Sequence, residues 1–388
     1  MIPLSLYIHF PWCVKKCPYC DFNSHPTQKN KSEEAFPEQA YIEALIKDLE
    51  DEKRFTEGRK IHSIFFGGGT PSLMSGASVA KILAVVEKQI GFETDIEITL
   101  EANPGTAEQQ RFKDYRAAGI NRISLGAQSF NDQQLQNLGR IHRAEETLRA
   151  VDMLQRSGFD NFNLDLMFAL PLQKETEQTL AEAMADLQQA INLAPPHLSW
   201  YQLTLEPNTV FYHERPTLPD DDMQFEIMQA GHQLLAQHGY KQYETSAFSK
   251  ANKQCMHNRN YWEFGDYLGI GAGAHGKLTH SEENKMIIHR RQKTRMPEHY
   301  LQSINPCSAD KALNQQDLVA EFALNALRLM EGVPRSLFTE RTGLPFSVIE
   351  KTVQQLIKEG LLIDDPSRFA PTQKGAWFLN NVVAEFIS

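Results

Sequence analysis

Positive charge is scarce in this chain. It carries 39 Lys+Arg against 49 Asp+Glu, a formal net charge of −10, and that balance argues against a general nucleic-acid binder, which needs a basic face. Long hydrophobic runs are also missing. None approaches the roughly 20 apolar residues that span a bilayer, and no basic amphipathic helix suggests strong lipid binding. The first residues are apolar, but no charge precedes them and no small-residue cleavage site follows, which speaks against a secretory signal. Cysteine is sparse: five residues, three of them clustered, do not make a disulfide framework. These absences point to a reducing, cytoplasmic setting. What remains is ordinary for a globular protein, with 41% hydrophobic and 23% charged residues. At 388 residues the chain exceeds what one core usually serves, so a large domain plus a smaller one is expected.

The few cysteines are the informative ones. Cys13, Cys17 and Cys20 fall within eight residues, separated by three and then two positions. Neither gap is long enough to staple two structural elements, and three thiolates so placed can converge on a soft metal centre. An iron–sulfur cluster normally takes four cysteines, yet Asp21, Phe22, Asn23 and Ser24 offer no fourth thiol. A cubane here would leave one iron open to an exogenous ligand. The competing reading is a Cys3His zinc site completed by His9 or His25.

Along the chain, strands read over 4–10, 61–66, 96–100, 122–125, 162–168 and 198–203. Helices read over 36–53, 77–90, 106–118, 131–138, 144–157, 176–193 and 221–238. This alternation implies parallel βαβ units with right-handed crossovers. Six units are short of the eight of a closed barrel, so the fold class is α/β, an incomplete (β/α)6 barrel. The cysteines, Gly67-Gly68-Gly69, Glu101, Gln128 and Asp165 all lie at or near carboxyl ends of these strands, the rim where parallel α/β folds place ligands. Taken singly, the glycine triplet is a turn that lets backbone approach a ligand, and it is no phosphate loop because no Lys follows. Glu101 alone reads as an exposed strand-end carboxylate, and Arg140 as a helix-surface or salt-bridging residue.

Cys-x3-Cys-x2-Cys with Tyr19 before the last cysteine resembles the signature of the radical S-adenosylmethionine (SAM) superfamily. Tyr7-Ile-His-Phe-Pro-Trp-Cys13 and Gly67-Gly-Gly-Thr-Pro71 resemble its oxygen-independent coproporphyrinogen III oxidase family, over nearly the whole chain. The resemblance implies a [4Fe–4S] cluster on Cys13, Cys17 and Cys20, with SAM on the open iron. It implies that Tyr7 and Gly68 meet this SAM, that Glu101 contacts it, and that Tyr19 belongs to the same cofactor-binding set. Gly69 and Thr70 are shared with a second SAM-sized ligand, to which Gln128, Arg140 and Asp165 are matched.

A second segment, Cys255-Met-His257-Asn-Arg259-Asn-Tyr261-Trp262, places a histidine among aromatics, as an axial haem ligand and its stacking walls require. A structural hydrogen-bonding role for His257 stays open, and Cys255 is a rival ligand. His-Asn-Arg-x-Tyr-Trp resembles the haem motif of the family's chaperone members, which implies that His257 binds haem and that Arg259 pairs a propionate. The glycine-rich run from Gly265 to Gly276 is expected to pack against the barrel opening. Residues 1–240 are assigned to the barrel, 241–310 to a connecting segment with the haem motif and glycine-rich strands, and 311–388 to a smaller winged-helix-like α+β domain. That last part has helices at 315–330 and 346–359 and a strand–turn–strand wing over 364–375. With eight Lys+Arg and nine Asp+Glu it cannot neutralise a phosphate backbone, so it reads as a cap or partner surface.

Two features separate the family's members. Its oxidases carry a further thiol two positions after the triad, where this chain has Phe22, and an extension ahead of the cluster strand, which here starts at residue 4. Both favour a haem chaperone that delivers haem to apo-haemoproteins, with respiratory proteins the implied clients and a dimer compatible. The alternative is an oxidase that decarboxylates porphyrinogen propionates to vinyl groups.

Overall fold

A computed structural model describes residues 1–27, 35–106, 109–171, 178–283 and 285–387. Six strands alternate with helices through the first 240 residues: β1 (Leu4–Phe10), β2 (Ile61–Gly68), β3 (Phe92–Ala102), β4 (Arg122–Gln128), β5 (Phe162–Phe168) and β6 (His197–Gln202). Each is parallel to the next in sequence order. The crossovers include α1 (Glu38–Glu52), α2 (Gly76–Gln89), α3 (Gln109–Ala118), α4 (Ala144–Arg156), α5 (Leu180–Asn192) and α6 (Asp221–Gln237). The helix starts expected at 106 and 176 run into residues 107–108 and 172–177, which lie outside the described residues.

β1 and β5 are buried on both faces, as strands of a helix-covered parallel sheet are. In each, one central residue stays partly open: Tyr7 in Leu4–Phe10 and Asp165 in Phe162–Phe168. Helix ends are set locally. Ser75 caps α2, Thr179 and Glu182 form a capping box on α5, and Asp220 caps α6.

The sheet continues past the six units on both sides. On the β6 side it gains the antiparallel strands β7 (Lys241–Glu244) and β8 (Ala247–Ser249). After a short helix α7 (Met256–Trp262), β9 (Asp266–Ile270) returns to lie parallel to β1 on the other side. The antiparallel strands β10 (His275–Glu282), β11 (Lys285–Lys293) and β12 (Cys307–Ala312) follow it, giving twelve strands in all. The arc is open, because β1 pairs with β9 and β6 with β8 rather than with each other. Asp266 pins the return. Its buried carboxylate takes Arg59 Nη1 at 2.7 Å, Lys277 Nζ at 2.9 Å and the Thr279 amide at 2.9 Å.

The C-terminal part folds around its own apolar cluster, which includes Phe322, Phe338, Val353 and Phe369 together with Phe264 and Ile288 from the sheet region. Its helices span Gln315–Ala326, Arg335–Thr342 and Glu350–Lys358. The wing is shorter than the sequence suggests. Arg368–Phe369 pairs with Val333–Pro334 and Leu362 bridges Pro371, but Gln373–Trp377 is helical because the Thr372 side chain caps it.

Candidate functional site

The cysteine loop leaves the end of β1 and is stitched to the glycine triplet. The Gly69 amide donates to Phe10 O at 2.6 Å, and the Thr70 amide to Trp12 O at 2.7 Å. No side chain fits between them: a Cβ on Gly69 would lie 2.3 Å from Trp12 O, and Gly68 holds a positive φ of 115°. Trp12 is locked among Phe10, Phe36 and Tyr41. The base of the loop is therefore rigid, while its thiols face a cavity.

That cavity, of about 480 Å³, is lined by Cys13, Cys17, Cys20, Tyr19, Gly68, Gly69, Thr70, Glu101, Gln128, Arg140 and Asp165. Eleven of the thirteen residues singled out from the sequence thus share one space; Tyr7 and His257 do not line it. Gln128 ends β4 with a positive φ of 67°, an uncommon conformation for a residue with a side chain. Tyr201 holds it there by donating to Gln128 Oε1 at 2.8 Å. Arg140 spans from Gly126 O, at 2.8 Å, to Cys17 Sγ, at 3.7 Å, and its buried Nε has no hydrogen-bond partner among the described residues. An unsatisfied buried donor beside thiols is a costly arrangement that a bound acceptor would relieve.

Burial governs the electrostatics. It pushes the Cys13 thiol up to about 11 and raises that of Cys20, so metal binding must displace protons there. It also pushes the Glu101 carboxyl up to about 8, with Asp165 adding to the rise, against a hydrogen bond from the Gly68 amide at 3.1 Å. Asp165 is raised too, although Asn163 and Ser124 donate to it. The cavity is thus lined by acids that favour a positive partner.

Both histidines of the zinc alternative make other contacts. His9 has both ring nitrogens engaged, with Tyr7 OH and Asn23 O, each at 2.9 Å, and His25 Nε2 lies 3.3 Å from Asn23 Oδ1. Among the described residues no three His, Cys, Asp or Glu side chains converge on a single-ion position.

The His257 segment is helix α7, and it divides two cavities. Asn258 and Trp262 line the cysteine cavity, while Tyr261 faces a second space of about 370 Å³ bounded also by Tyr7, His9, Phe22, Tyr267, His275 and Arg295. His257 lines neither. It is 1% exposed, with Nδ1 3.1 Å from Ser63 Oγ and Nε2 2.8 Å from Tyr261 OH. Burial lowers its pKa to about 3, so it is neutral. Cys255 is buried against Glu97, and Arg259 is engaged with Gln254 and Glu263. The glycine-rich run packs as expected: a Cβ on Gly271 would meet His9 O at 2.3 Å, and one on Gly273 would meet Asn23 Nδ2 at 2.3 Å.

Several cavity residues escaped the sequence. Tyr201 ends β6 and could have been picked out by the same strand-end argument as Gln128. Glu244 and Arg328 could not, since Arg328 arrives from beyond the helix Gln315–Ala326 and sits 4.4 Å over the Trp262 ring.

Comparison with known proteins bears on the family and the fold. Residues 7–187 match the radical SAM superfamily model, and residues 313–378 match the HemN C-terminal domain. The heme chaperone HemW of Haemophilus influenzae is 51% identical over 390 residues, covering 100% of this chain and 98% of that protein. HemW of Escherichia coli K12 is 47% identical, again across 100% and 98%. A mitochondrial radical S-adenosyl methionine domain-containing protein 1 of Bos taurus is 31% identical, covering 99% and 87%. Among solved structures, coproporphyrinogen III oxidase (HemN) from Escherichia coli superposes with a TM-score of 0.81 over 100% of this chain and 90% of that one, at 23% identity, which speaks for the fold.

Proposed function

The chain belongs to the HemW family of radical SAM proteins, and from that premise we propose that it binds haem and delivers it to apo-haemoproteins, using a [4Fe–4S] cluster and SAM. The observation that carries this reading is the full-length identity to heme chaperones, 51% and 47%, joined to Phe22 in the seat of the oxidases' further thiol. Respiratory haemoproteins are the clients we infer, and the reducing cytoplasm is the compartment in which three unpaired thiols would persist.

Cys13, Cys17 and Cys20 would hold the cluster, which would supply an open iron to bind SAM. The remaining chemistry belongs to the chain. Gly68 and Gly69 bring bare backbone to the ligand. Glu101 and Asp165 supply negative charge for a sulfonium cation, and Arg140 offers its free Nε to an acceptor while fixing Cys17. Gln128, braced by Tyr201, presents an amide at the floor. Whether one SAM or two occupies these residues is open to direct counting by equilibrium dialysis.

One experiment separates chaperone from oxidase. The chain, anaerobically reconstituted, is given SAM, reductant and coproporphyrinogen III, and is separately titrated with haem. Stoichiometric haem uptake without decarboxylated product is the expected result. Formation of harderoporphyrinogen or protoporphyrinogen would instead make it an oxidase.

A further inference from the structure

Behind Asp165 runs a row of buried polar groups that do not line the cysteine cavity. Asn163 lies two residues before Asp165, on the same face of β5. Its Nδ2 donates to Asp165 Oδ1 at 2.7 Å and to Ser124 Oγ at 2.8 Å, and Ser124 Oγ donates in turn to Asp165 Oδ2 at 3.1 Å. Asn163 Oδ1 lies 2.7 Å from His197 Nδ1 on β6, and His197 Nε2 lies 2.9 Å from Tyr243 OH on β7. The Cys255 amide reaches that hydroxyl at 3.3 Å. Asn163, His197, Tyr243 and Cys255 are all buried.

Chemistry allows this row only one direction. A carboxylate can only accept, so Asn163 turns its amide nitrogen to Asp165 and its oxygen to His197. That oxygen needs a donor, which puts the imidazole proton on Nδ1. Nε2 is then a lone pair and takes the Tyr243 proton, and the Tyr243 oxygen is left to accept from Cys255. Burial and Arg122 hold His197 well below the usual histidine pKa, so the ring is neutral, as this scheme requires. Every bond from Cys255 onward points toward Asp165, and hydrogen bonds aligned in series polarise one another. Burial raises the Asp165 carboxyl, and donors from Asn163, Ser199 and Ser124 oppose that rise.

We propose that Asn163, His197 and Tyr243 are positioning residues that hold Asp165 as an acceptor aimed at a cationic ligand in the cysteine cavity. They do not meet that ligand themselves. The far end of the row is the N-cap of α7, so the cavity carboxylate and the helix carrying His257 share one support. The consequence is specificity: this row makes the cavity prefer a sulfonium over a neutral thioether of the same shape.

This inference rests on SAM occupying the cysteine cavity, and its test distinguishes the two. With isotope-labelled histidine, nitrogen NMR of the ligand-free chain should place the His197 proton on Nδ1, the signal being identified by its absence in His197→Asn. Calorimetry on the full, cluster-loaded chain then compares SAM with S-adenosylhomocysteine, which lacks the sulfonium charge. Asn163→Leu should weaken SAM about tenfold and Tyr243→Phe about threefold, with the neutral analogue changed less than about twofold in each. His197→Leu should follow Asn163→Leu. His197→Asn, whose amide nitrogen falls where Nδ1 was, should restore SAM binding, which a role in packing alone would not predict. Tyr243→Phe removes a single oxygen, so it decides the matter even where the other variants misfold. Equal loss of both ligands, unchanged SAM affinity in Tyr243→Phe, or a His197 proton on Nε2 overturns this assignment and spares the SAM reading. Failure of the unaltered chain to bind SAM overturns both.

Discussion

Glu101 sits where burial and a like charge press together. Its pKa of about 8 in the folded chain, against 4.5 as a free side chain, means that the ligand-free fold keeps a proton which the unfolded chain releases. The folded state binds more protons between those values, so stability falls as pH rises through that window and levels off above it. Glu101→Gln should flatten this slope in urea midpoints measured from about pH 5 to 8. The same group predicts a linked proton: a sulfonium cation bound at neutral pH should expel it, and calorimetric enthalpies should then vary with buffer ionisation heat in the unaltered chain but not in Glu101→Gln. Gly69 carries a different constraint. Its missing Cβ faces the Trp12 backbone at 2.3 Å, so Gly69→Ala must displace main chain rather than a pliable side chain. Iron loading after reconstitution should drop sharply, as it would in Cys17→Ser, while the far-UV spectrum stays close to native.

At the scale of elements, α7 carries the most consequence. Seven residues are short for a self-supporting helix, and its start is held from outside: Glu97 on β3 accepts from the Met256 amide at 3.0 Å and the His257 amide at 3.3 Å. The same carboxylate lies 3.9 Å from Arg122, and both are buried. Glu97→Ala removes the cap and leaves Arg122 short of a partner, which should cost about 3 kcal/mol in urea unfolding and loosen both cavities together. The sequence displays His-Asn-Arg-x-Tyr-Trp as one motif. In the helix, residues four apart share a face, so 257 and 261 look one way and 258 and 262 the other. Tyr261 and Trp262, adjacent in sequence, end up serving different cavities.

The whole molecule joins its two cores more tightly than a cap on a barrel would. Phe264, just before β9, packs edge to face on Phe322 with centroids 5.7 Å apart, and Tyr243, Ala247 and Ile288 belong to the same apolar cluster. A chain ending at residue 310 would bare that surface, and it should aggregate or bind a hydrophobic dye strongly. Arg328→Ala is the gentler probe. It removes the side chain that the C-terminal part sends into the cysteine cavity, and it should alter ligand affinity with little change in fold, as read by calorimetry. With charge nearly balanced from residue 311 on, fluorescence anisotropy with a duplex oligonucleotide should show no salt-sensitive binding.

Local chemistry alone determined much of this protein. Cysteine spacing, the glycine triplet and strand–helix periodicity are short-range properties, and they located the parallel units, the rim and, around the cysteine cavity, the three cysteines, Gly68, Gly69, Glu101, Gln128 and Asp165. Tertiary structure decided what depends on distant parts of the chain meeting: the return of β9 beside β1, the arrival of Arg328, and the pairing of His257 with Ser63, 194 positions earlier. No periodicity records whether a ring nitrogen is spent on a neighbour or left free. That is why a sequence can offer His257 for haem, while only the folded chain places its ring between Ser63 and Tyr261.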